Sequence, residues 1–514
     1  MVRLLADQAA ARPDHPWLVF DGEDTLTYAE AWDLAKRFAT ALKARVGAKC
    51  HVGLFLRNQV EFLPTFYGTM AAGGVASPFN ADAKGPLLGH IVERSDASVI
   101  IARFDLLDRL EELDSLSNVE LVVVVGEGKA PEKVGGVRAM TWDAFLEGAA
   151  AEEPESFPAF DDVALIQFTS GTTSFSKGAV YPHHFLYLYS ATLSDSLGRT
   201  PDDVLTTPLP LFHVAALHII ANSALHAGAT AHLKSRFSAS QFWNQAAADG
   251  ATFSIILGPM AAIIMKTVDS APEHRMRTMF CVPPPPGRAD FESRFNVKML
   301  WQGYGMTEVY PLPMRSEMLA GVTDDTLGYP ATYYDYGVVD EHDRLLAPGE
   351  EGELVFRPLL PSAMMREYYK DPQATVQALR NFAFHTGDIA TCDEDGLIHY
   401  RGRKQERLRR RGENVSAFEL ELVALRHELI MEAAAYGVPS EFGEHDIKLD
   451  VILKADLDLA ELHKWLDENL PRYMVPRYLE RREQFPKTPS ERVEKFKLAS
   501  EPADRPGVYD AEKR

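Results

Sequence analysis

The chain has little cysteine, no long apolar run and too few cations to balance its acids. Its 514 residues include 3 cysteines, Cys50, Cys281 and Cys392. Spaced so widely, they offer neither a disulfide framework nor a zinc-ligand cluster, which points to a reducing, cytoplasmic setting. No stretch approaches the ~20 apolar residues of a membrane span. Leu121-Val122-Val123-Val124-Val125 is long enough only for a buried strand. The first residues carry an acid, Asp7, and no extended apolar segment, so they do not read as a signal peptide. A formal net charge of -21 argues against general nucleic-acid binding. An anionic substrate must therefore be held by local donors rather than by the field of the whole molecule. Internal repeats and heptad arrays are absent, and the one low-complexity tract is Pro283-Pro284-Pro285-Pro286-Gly287, read as an extended segment ending in a turn.

What is present is an ordinary globular composition, 46% hydrophobic and 25% charged, on a chain too long for one core. Over the first 250 residues short apolar runs alternate with amphipathic segments. His51 to Leu56, Ser98 to Ala102, Leu121 to Val125 and Val163 to Phe168 are expected strands; Thr27 to Ala44, Glu61 to Ala72 and Phe104 to Leu116 are expected helices. Such alternation implies α/β layers with largely parallel sheets. Asp393-Glu394-Asp395-Gly396 reads as a tight turn, and beyond it 7 of the 12 residues from Arg401 to Gly412 are basic. This composition break places a domain boundary near Gly402, with residues 1–401 and 402–514 on either side. The basic run is either a solvated face or a place for a ligand phosphate. The charged tail ending at Arg514 reads as loose.

The most informative segment is Thr169-Ser170-Gly171-Thr172-Thr173-Ser174-Phe175-Ser176-Lys177-Gly178, directly after an expected strand. Glycine and small hydroxyl residues let backbone N–H groups and side-chain donors converge on an anion, and Lys177 adds a point charge. That combination suits a polyphosphate. It is not a Walker A loop, which requires glycine before the lysine and a hydroxyl after it; Ser176 and Gly178 stand there instead.

Further segments follow in order: Pro208-Leu209-Pro210-Leu211-Phe212-His213; Gln302-Gly303-Tyr304-Gly305-Met306-Thr307-Glu308; Phe384-His385-Thr386-Gly387-Asp388; Gly412-Glu413-Asn414-Val415-Ser416-Ala417-Phe418-Glu419-Leu420-Glu421, expected to open a helix; and Pro486-Lys487-Thr488-Pro489-Ser490-Glu491-Arg492-Val493-Glu494-Lys495. Each alone is weak, since a lone histidine is usually a satisfied core residue and a Tyr-Gly-x-Thr-Glu usually a turn. Together, at these distances, they resemble the adenylate-forming superfamily of acyl-CoA synthetases, adenylation domains and luciferases, over nearly the whole chain. The wording Arg410-Arg411-Gly412-Glu413-Asn414-Val415-Ser416 is most similar to the crotonobetaine/carnitine–CoA ligase-like branch.

The resemblance implies an α/β fold with a large N-terminal domain of stacked sheets and helices and a small mobile C-terminal α/β lid, hinged near residues 402–406. It implies an ATP-dependent acid–CoA ligase using ATP, Mg2+ and CoA. A carboxylate is adenylated with loss of pyrophosphate, and the acyl group then passes to a thiol. Thr169, Ser170, Gly171, Thr172, Thr173 and Lys177 would hold the β- and γ-phosphates, with Glu308 as metal ligand and Thr307 at the α-phosphate. Tyr304 would offer a ring to adenine, Asp388 would accept the ribose hydroxyls, and Arg403 would lie beside them. Phe212, His213 and Gly303 would border the acid, and Gly412, Glu413 and Asn414 would meet CoA. His183 and His184 receive no role.

Three departures from the family pattern matter. Ser174 and Ser176 replace the usual glycine and proline of the phosphate loop. The proline tract replaces the glycine-rich segment beside adenine. Glu491-Arg492 stands where glycine and the catalytic lysine are expected, so Arg492, or Lys495 nearby, would have to supply that cation. Arginine keeps the charge but not the geometry of an ammonium. Two alternatives therefore stay open: an adenylate-forming enzyme that activates nitrite for diazotisation of an amine, and a nucleotide-binding homologue without catalysis. The acid, or other small anion, and the existence of a homodimer are not specified by the sequence.

Overall fold

The computed structural model describes residues 1–169, 176–282, 284–285, 287–313, 322–323, 325–404, 407–410, 413–439, 445–470, 472, 474–488 and 492–513. The chain folds as a large N-terminal α/β domain and a separate C-terminal domain. Two sheets form the first part. One runs, in spatial order, Lys298–Leu300, Thr278–Val282, Phe253–Leu257, Val204–Thr207, Thr230–Leu233, Pro16–Phe20 and Asp24–Thr27, parallel except at its last pair. The other carries Gly178–Pro182, Val163–Phe168, Val75–Pro78, His51–Phe55, Val99–Arg103, Leu121–Val125, Val137–Thr141 and Lys133–Val134 in that order, parallel except at its first and last pairs. Leu121–Val125 is buried at every position, as expected of a strand covered on both faces.

Helices between the sheets follow from local signals. Tyr28–Arg45 begins on a capping box in which Thr27 and Glu30 satisfy each other's backbone N–H groups. Phe62–Ala71 is buried all round. Its Gly68 is required by contact, since a Cβ there would lie 2.6 Å from the carbonyl oxygen of Ala35. The segment expected to be helical from Phe104 to Leu116 is shorter. A 3-10 turn, Phe104–Leu106, leads into Leu107–Glu111, and the chain then turns where Ser115 Oγ accepts from Ser117 N at 3.2 Å. Short polar side chains that bond their own backbone compete with the helix there.

The two sheets bear out the largely parallel layers expected of the first 250 residues, and a third sheet beyond them is antiparallel. Thr326–Gly328, Ile398–Arg403, Phe384–Cys392, Gly352–Pro358 and Tyr334–Val339 pair antiparallel throughout. After it, Arg407–Arg410 and Glu413–Ser416 pair antiparallel, so the residues from Glu413 form a strand first and the helix starts only at Ala417. The C-terminal sheet orders Ile430–Pro439, His445–Leu453, Tyr478–Arg481 and Tyr509–Asp510 and has apolar clusters of its own. The tail is not loose: Tyr509–Asp510 adds to the sheet edge, and Arg477 Nε holds Asp510 at 3.2 Å. Among the described residues no helix is long and apolar enough to cross a membrane, and all three cysteines are free. Pro283 and Pro286 lie outside the described residues; Gly287, at φ 80°, takes the left-handed turn that admits helix Arg288–Phe295.

Candidate active site

The polyphosphate-type loop joins two antiparallel strands, with Gly178 opposite Phe168. Its base is closed by Thr169 N donating to Lys177 O at 2.9 Å and Lys177 N donating to Thr169 Oγ1 at 3.1 Å. Ser170, Gly171, Thr172 and Thr173 lie outside the described residues. His90 reaches the loop from helix Gly85–Ser95, its Nε2 2.9 Å from Ser176 O.

Lys177 points its ammonium over the ring of Tyr368, 4.9 Å from the centroid. The Tyr368 hydroxyl donates to Glu308 Oε1 at 2.5 Å. A cation, a phenol and a carboxylate thus stand in a row. Glu308 is 7% exposed. It sits on a tight excursion whose ends, Tyr304 and Leu312, exchange backbone hydrogen bonds of 2.9 and 3.2 Å, and its own carbonyl accepts from Met365 N at 2.9 Å. Burial raises its carboxyl pKa, while the Tyr368 hydrogen bond and the Arg403 and Lys177 charges oppose that rise. Gly303 enters the excursion at φ 142°, a conformation that favours glycine. The Tyr181 hydroxyl donates to the Thr307 carbonyl.

A second node lies on the antiparallel sheet. Asp388 and Arg403 are cross-strand partners, and Arg403 Nε meets Asp388 Oδ1 at 2.8 Å. Asp388 Oδ2 accepts the Tyr304 hydroxyl at 2.5 Å, and Asp388 N donates to Thr386 Oγ1 at 3.0 Å. Burial, then the neighbouring Asp388 charge, pushes the Tyr304 phenol pKa well up, so it stays a donor. Tyr304 is therefore not simply a free ring; its hydroxyl is engaged and its face stacks on Phe356 at 6.2 Å between centroids.

On the acid side, Asn58 pins the segment before His213, donating to Leu209 O at 2.9 Å and accepting from Leu211 N at 2.7 Å. Gln167 Nε2 donates to Phe212 O at 2.7 Å. Burial pushes the His213 imidazole pKa down to about 4, so it is neutral at physiological pH. In the C-terminal domain, Gly412 lies outside the described residues, and Glu413 and Asn414 occupy the strand Glu413–Ser416. Arg492 N donates to Thr488 Oγ1 at 3.2 Å, and Arg492 O accepts from Thr488 N at 2.8 Å. Lys495 is drawn away to its own domain, its ammonium 2.8 Å from Glu421 Oε1.

The structure thus gathers Thr169, Lys177, Tyr304, Thr307, Glu308, Asp388 and Arg403. Sequence reading missed Tyr368, Tyr181, Asn58 and His90. Nothing marks Tyr368 within Arg366-Glu367-Tyr368-Tyr369-Lys370, because its partner lies 60 residues earlier. Its role is testable. The Tyr368 hydroxyl favours ionised Glu308, so Tyr368→Phe raises the carboxyl pKa further. If ionised Glu308 is needed, kcat/KM for MgATP falls about 10-fold on the acid limb of the pH–rate profile and changes little on its alkaline side, the size expected for one hydrogen bond to a charged group. A pH–rate profile with an unshifted acid limb excludes this coupling.

Residues 5–369 match the model of the AMP-binding enzyme family, and residues 419–492 match that of the AMP-binding enzyme C-terminal domain. A crotonobetaine/carnitine–CoA ligase of Escherichia coli O139:H28 (strain E24377A / ETEC) is 29% identical over 458 residues, covering 86% of each chain. That of Salmonella arizonae is 29% identical over 466 residues, covering 87% of this chain and 88% of its own. Among solved structures, the anthranilate CoA ligase AuaEII in complex with anthranoyl-AMP superposes with a TM-score of 0.86 at 21% identity, over 97% of this chain and 96% of that one. ATP-bound MatB from Rhodopseudomonas palustris gives 0.84 at 23%, over 97% and 98%. At such identities the likeness is one of fold. With both parts of the chain matched in order, and the first match spanning Lys177, Tyr304, Glu308 and Tyr368, the protein belongs to the AMP-binding enzyme family.

Proposed function

We propose that this chain is an ATP-dependent acid–CoA ligase that adenylates a small-molecule carboxylic acid and passes the acyl group to the CoA thiol. The observation that carries the reading is the Lys177–Tyr368–Glu308 row beside the Tyr304–Asp388–Arg403 node. One arrangement offers a cation and a carboxylate for a metal-bound polyphosphate. The other offers a buried carboxylate flanked by donors for a ribose diol. Among the described residues no cluster of three or more His, Cys, Asp or Glu could hold a metal by itself. A single carboxylate suits Mg2+, which keeps waters and takes its other ligands from substrate phosphates. Glu308 would hold it, and when bound it would supply neutralisation of phosphate charge.

In the first half-reaction a carboxylate oxygen attacks the α-phosphorus of ATP, the bond to the bridging β-oxygen breaks, and pyrophosphate leaves. Two anions must meet, so positioning and charge compensation dominate. The loop from Thr169 to Lys177 cradles the β- and γ-phosphates, and Thr307 donates to the α-phosphate. Asp388 accepts the ribose hydroxyls, since an ionised carboxylate offers two acceptor oxygens. Tyr304 and Arg403 fix the orientation of that carboxylate, and Arg492 supplies the mobile cation. In the second half-reaction the thiol sulfur attacks the acyl carbon and AMP leaves. Gly412, Glu413 and Asn414, on a domain hinged near residues 402–406, line the approach of CoA; Phe212, His213 and Gly303 border the acid. Gln405, at the hinge, lies outside the described residues.

The deciding measurement is pyrophosphate release from MgATP across a panel of carboxylates plus nitrite, each with and without CoA. A carboxylate-dependent signal with thioester detected by mass supports the reading. Release with nitrite alone, indifferent to CoA, replaces it by diazotisation. ATP binding with no release across the panel replaces it by a non-catalytic role.

A further inference from the structure

His218 sits in the widened π-helical turn Ala215–Asn222, five residues after His213. Such turns are rare and concentrate at functional sites. The ring is fully buried, stacked against Tyr181 at 5.7 Å and tilted against Tyr189 at 5.0 Å between centroids. Burial pushes its pKa down to about 3, so the imidazole is neutral.

Its tautomer follows from the neighbours. The Tyr67 hydroxyl donates to Asn222 Oδ1 at 2.7 Å, which turns the Asn222 amide nitrogen toward His218 Nδ1 at 3.1 Å. An amide N–H can only donate, so Nδ1 accepts and the ring hydrogen resides on Nε2. His218 Nε2 has no hydrogen-bond partner among the described residues. A buried donor left without an acceptor destabilises the fold unless a ligand supplies one.

The donor also stands in a telling place. Tyr181, on one face of the ring, donates its hydroxyl to the Thr307 carbonyl. Tyr189, at its side, stacks on Tyr310 at 4.2 Å, two residues beyond Glu308. We propose that His218 is a specificity-determining residue whose Nε2–H donates to an acceptor oxygen on the acyl group, and that the tyrosine rings beside it select an aromatic acid carrying a ring oxygen substituent. This rests on the acid–CoA ligase reading.

The test compares kcat/KM for benzoate, the three hydroxybenzoates and the matching methylbenzoates in wild type, His218→Phe and His218→Gln. Wild type is expected to favour one hydroxybenzoate over its methyl counterpart by about 10–100-fold, chiefly through KM. His218→Phe abolishes that preference while leaving the methyl acid unchanged or better, and His218→Gln, which keeps a donor, restores part of it. Equal loss on every acid, an unchanged preference, or turnover of other acids with none of these overturns the proposal alone. No pyrophosphate release with any acid, while ATP binds, instead overturns the ligase reading beneath it. Independently, 15N spectra of histidine-labelled protein should show a neutral His218 protonated at Nε2. Protonation at Nδ1 would leave Nε2 with no hydrogen to donate and overturns the assignment even if a variant fails to fold.

Discussion

Arg492→Ala is expected to lower acid-dependent pyrophosphate release by about 10²–10³-fold, the usual effect of removing one preorganised donor from a charge-developing transition state. CoA-dependent consumption of preformed acyl adenylate should change by less than about 3-fold, because that step no longer joins two anions at phosphorus. The asymmetry is the informative part. By the resemblance Arg492 would take the place of a lysine, and its guanidinium can bridge carboxylate and phosphate with two parallel N–H bonds, which an ammonium cannot. The other nearby candidate, Lys495, is 2.8 Å from Glu421 within its own domain. Lys495→Ala should therefore cost stability of the C-terminal domain before it costs adenylation. Arg492→Lys distinguishes charge from geometry: near-complete recovery assigns the role to charge alone, and failure to recover assigns it to the planar fork. Equal loss in both half-reactions after Arg492→Ala would remove the residue from the adenylation step.

The parts of this molecule that are legible in the chain are those written in contiguous residues. Val163–Phe168 and the small polar run after it announce a strand feeding an anion loop, and the pairing of Phe168 with Gly178 is its short-range consequence. The turn at Asp393 and Gly396 is fixed by local chemistry, with Gly396 N donating to Asp393 O at 3.1 Å and φ at 86°. Less legible are features decided by partners far away. The antiparallel third sheet exists because Asp388 is registered against Arg403 and Glu353 against Ile389, which no local periodicity reports. The strand before Ala417 escapes notice because a four-residue strand has too few residues to display a period. The tail ends as a strand because Arg477 and the sheet edge supply partners that its polar composition does not advertise. The site divides along the same line. Residues inside ordered motifs, such as Glu308 and Asp388, can be picked out. Their supports Tyr368, Tyr181, His90 and Asn58 cannot, since each acts on a residue far away in the chain.

Glu308→Gln carries the other large expected effect. The substitution keeps size and one acceptor oxygen but removes the charge, in a position only 7% exposed, where water cannot substitute for it. A metal ion compensating phosphate charge is worth several kcal/mol of transition-state stabilisation, so adenylation should fall by about 10³-fold, near 4 kcal/mol. The loss should appear in kcat and in the Mg2+ concentration needed for half-maximal rate. Thioester formation from preformed acyl adenylate, which no longer carries the departing phosphates, should be spared. Affinity for AMP should likewise be nearly intact, because the Tyr304–Asp388–Arg403 node is untouched. The neutral amide also releases the Tyr368 hydroxyl from a charge-assisted bond, so Tyr368→Phe added to Glu308→Gln should cost little more than Glu308→Gln alone. Full additivity of the two substitutions would mean that Tyr368 acts on the phosphates directly and not through the carboxylate. Retention of normal Mg2+ dependence in Glu308→Gln would place the metal elsewhere.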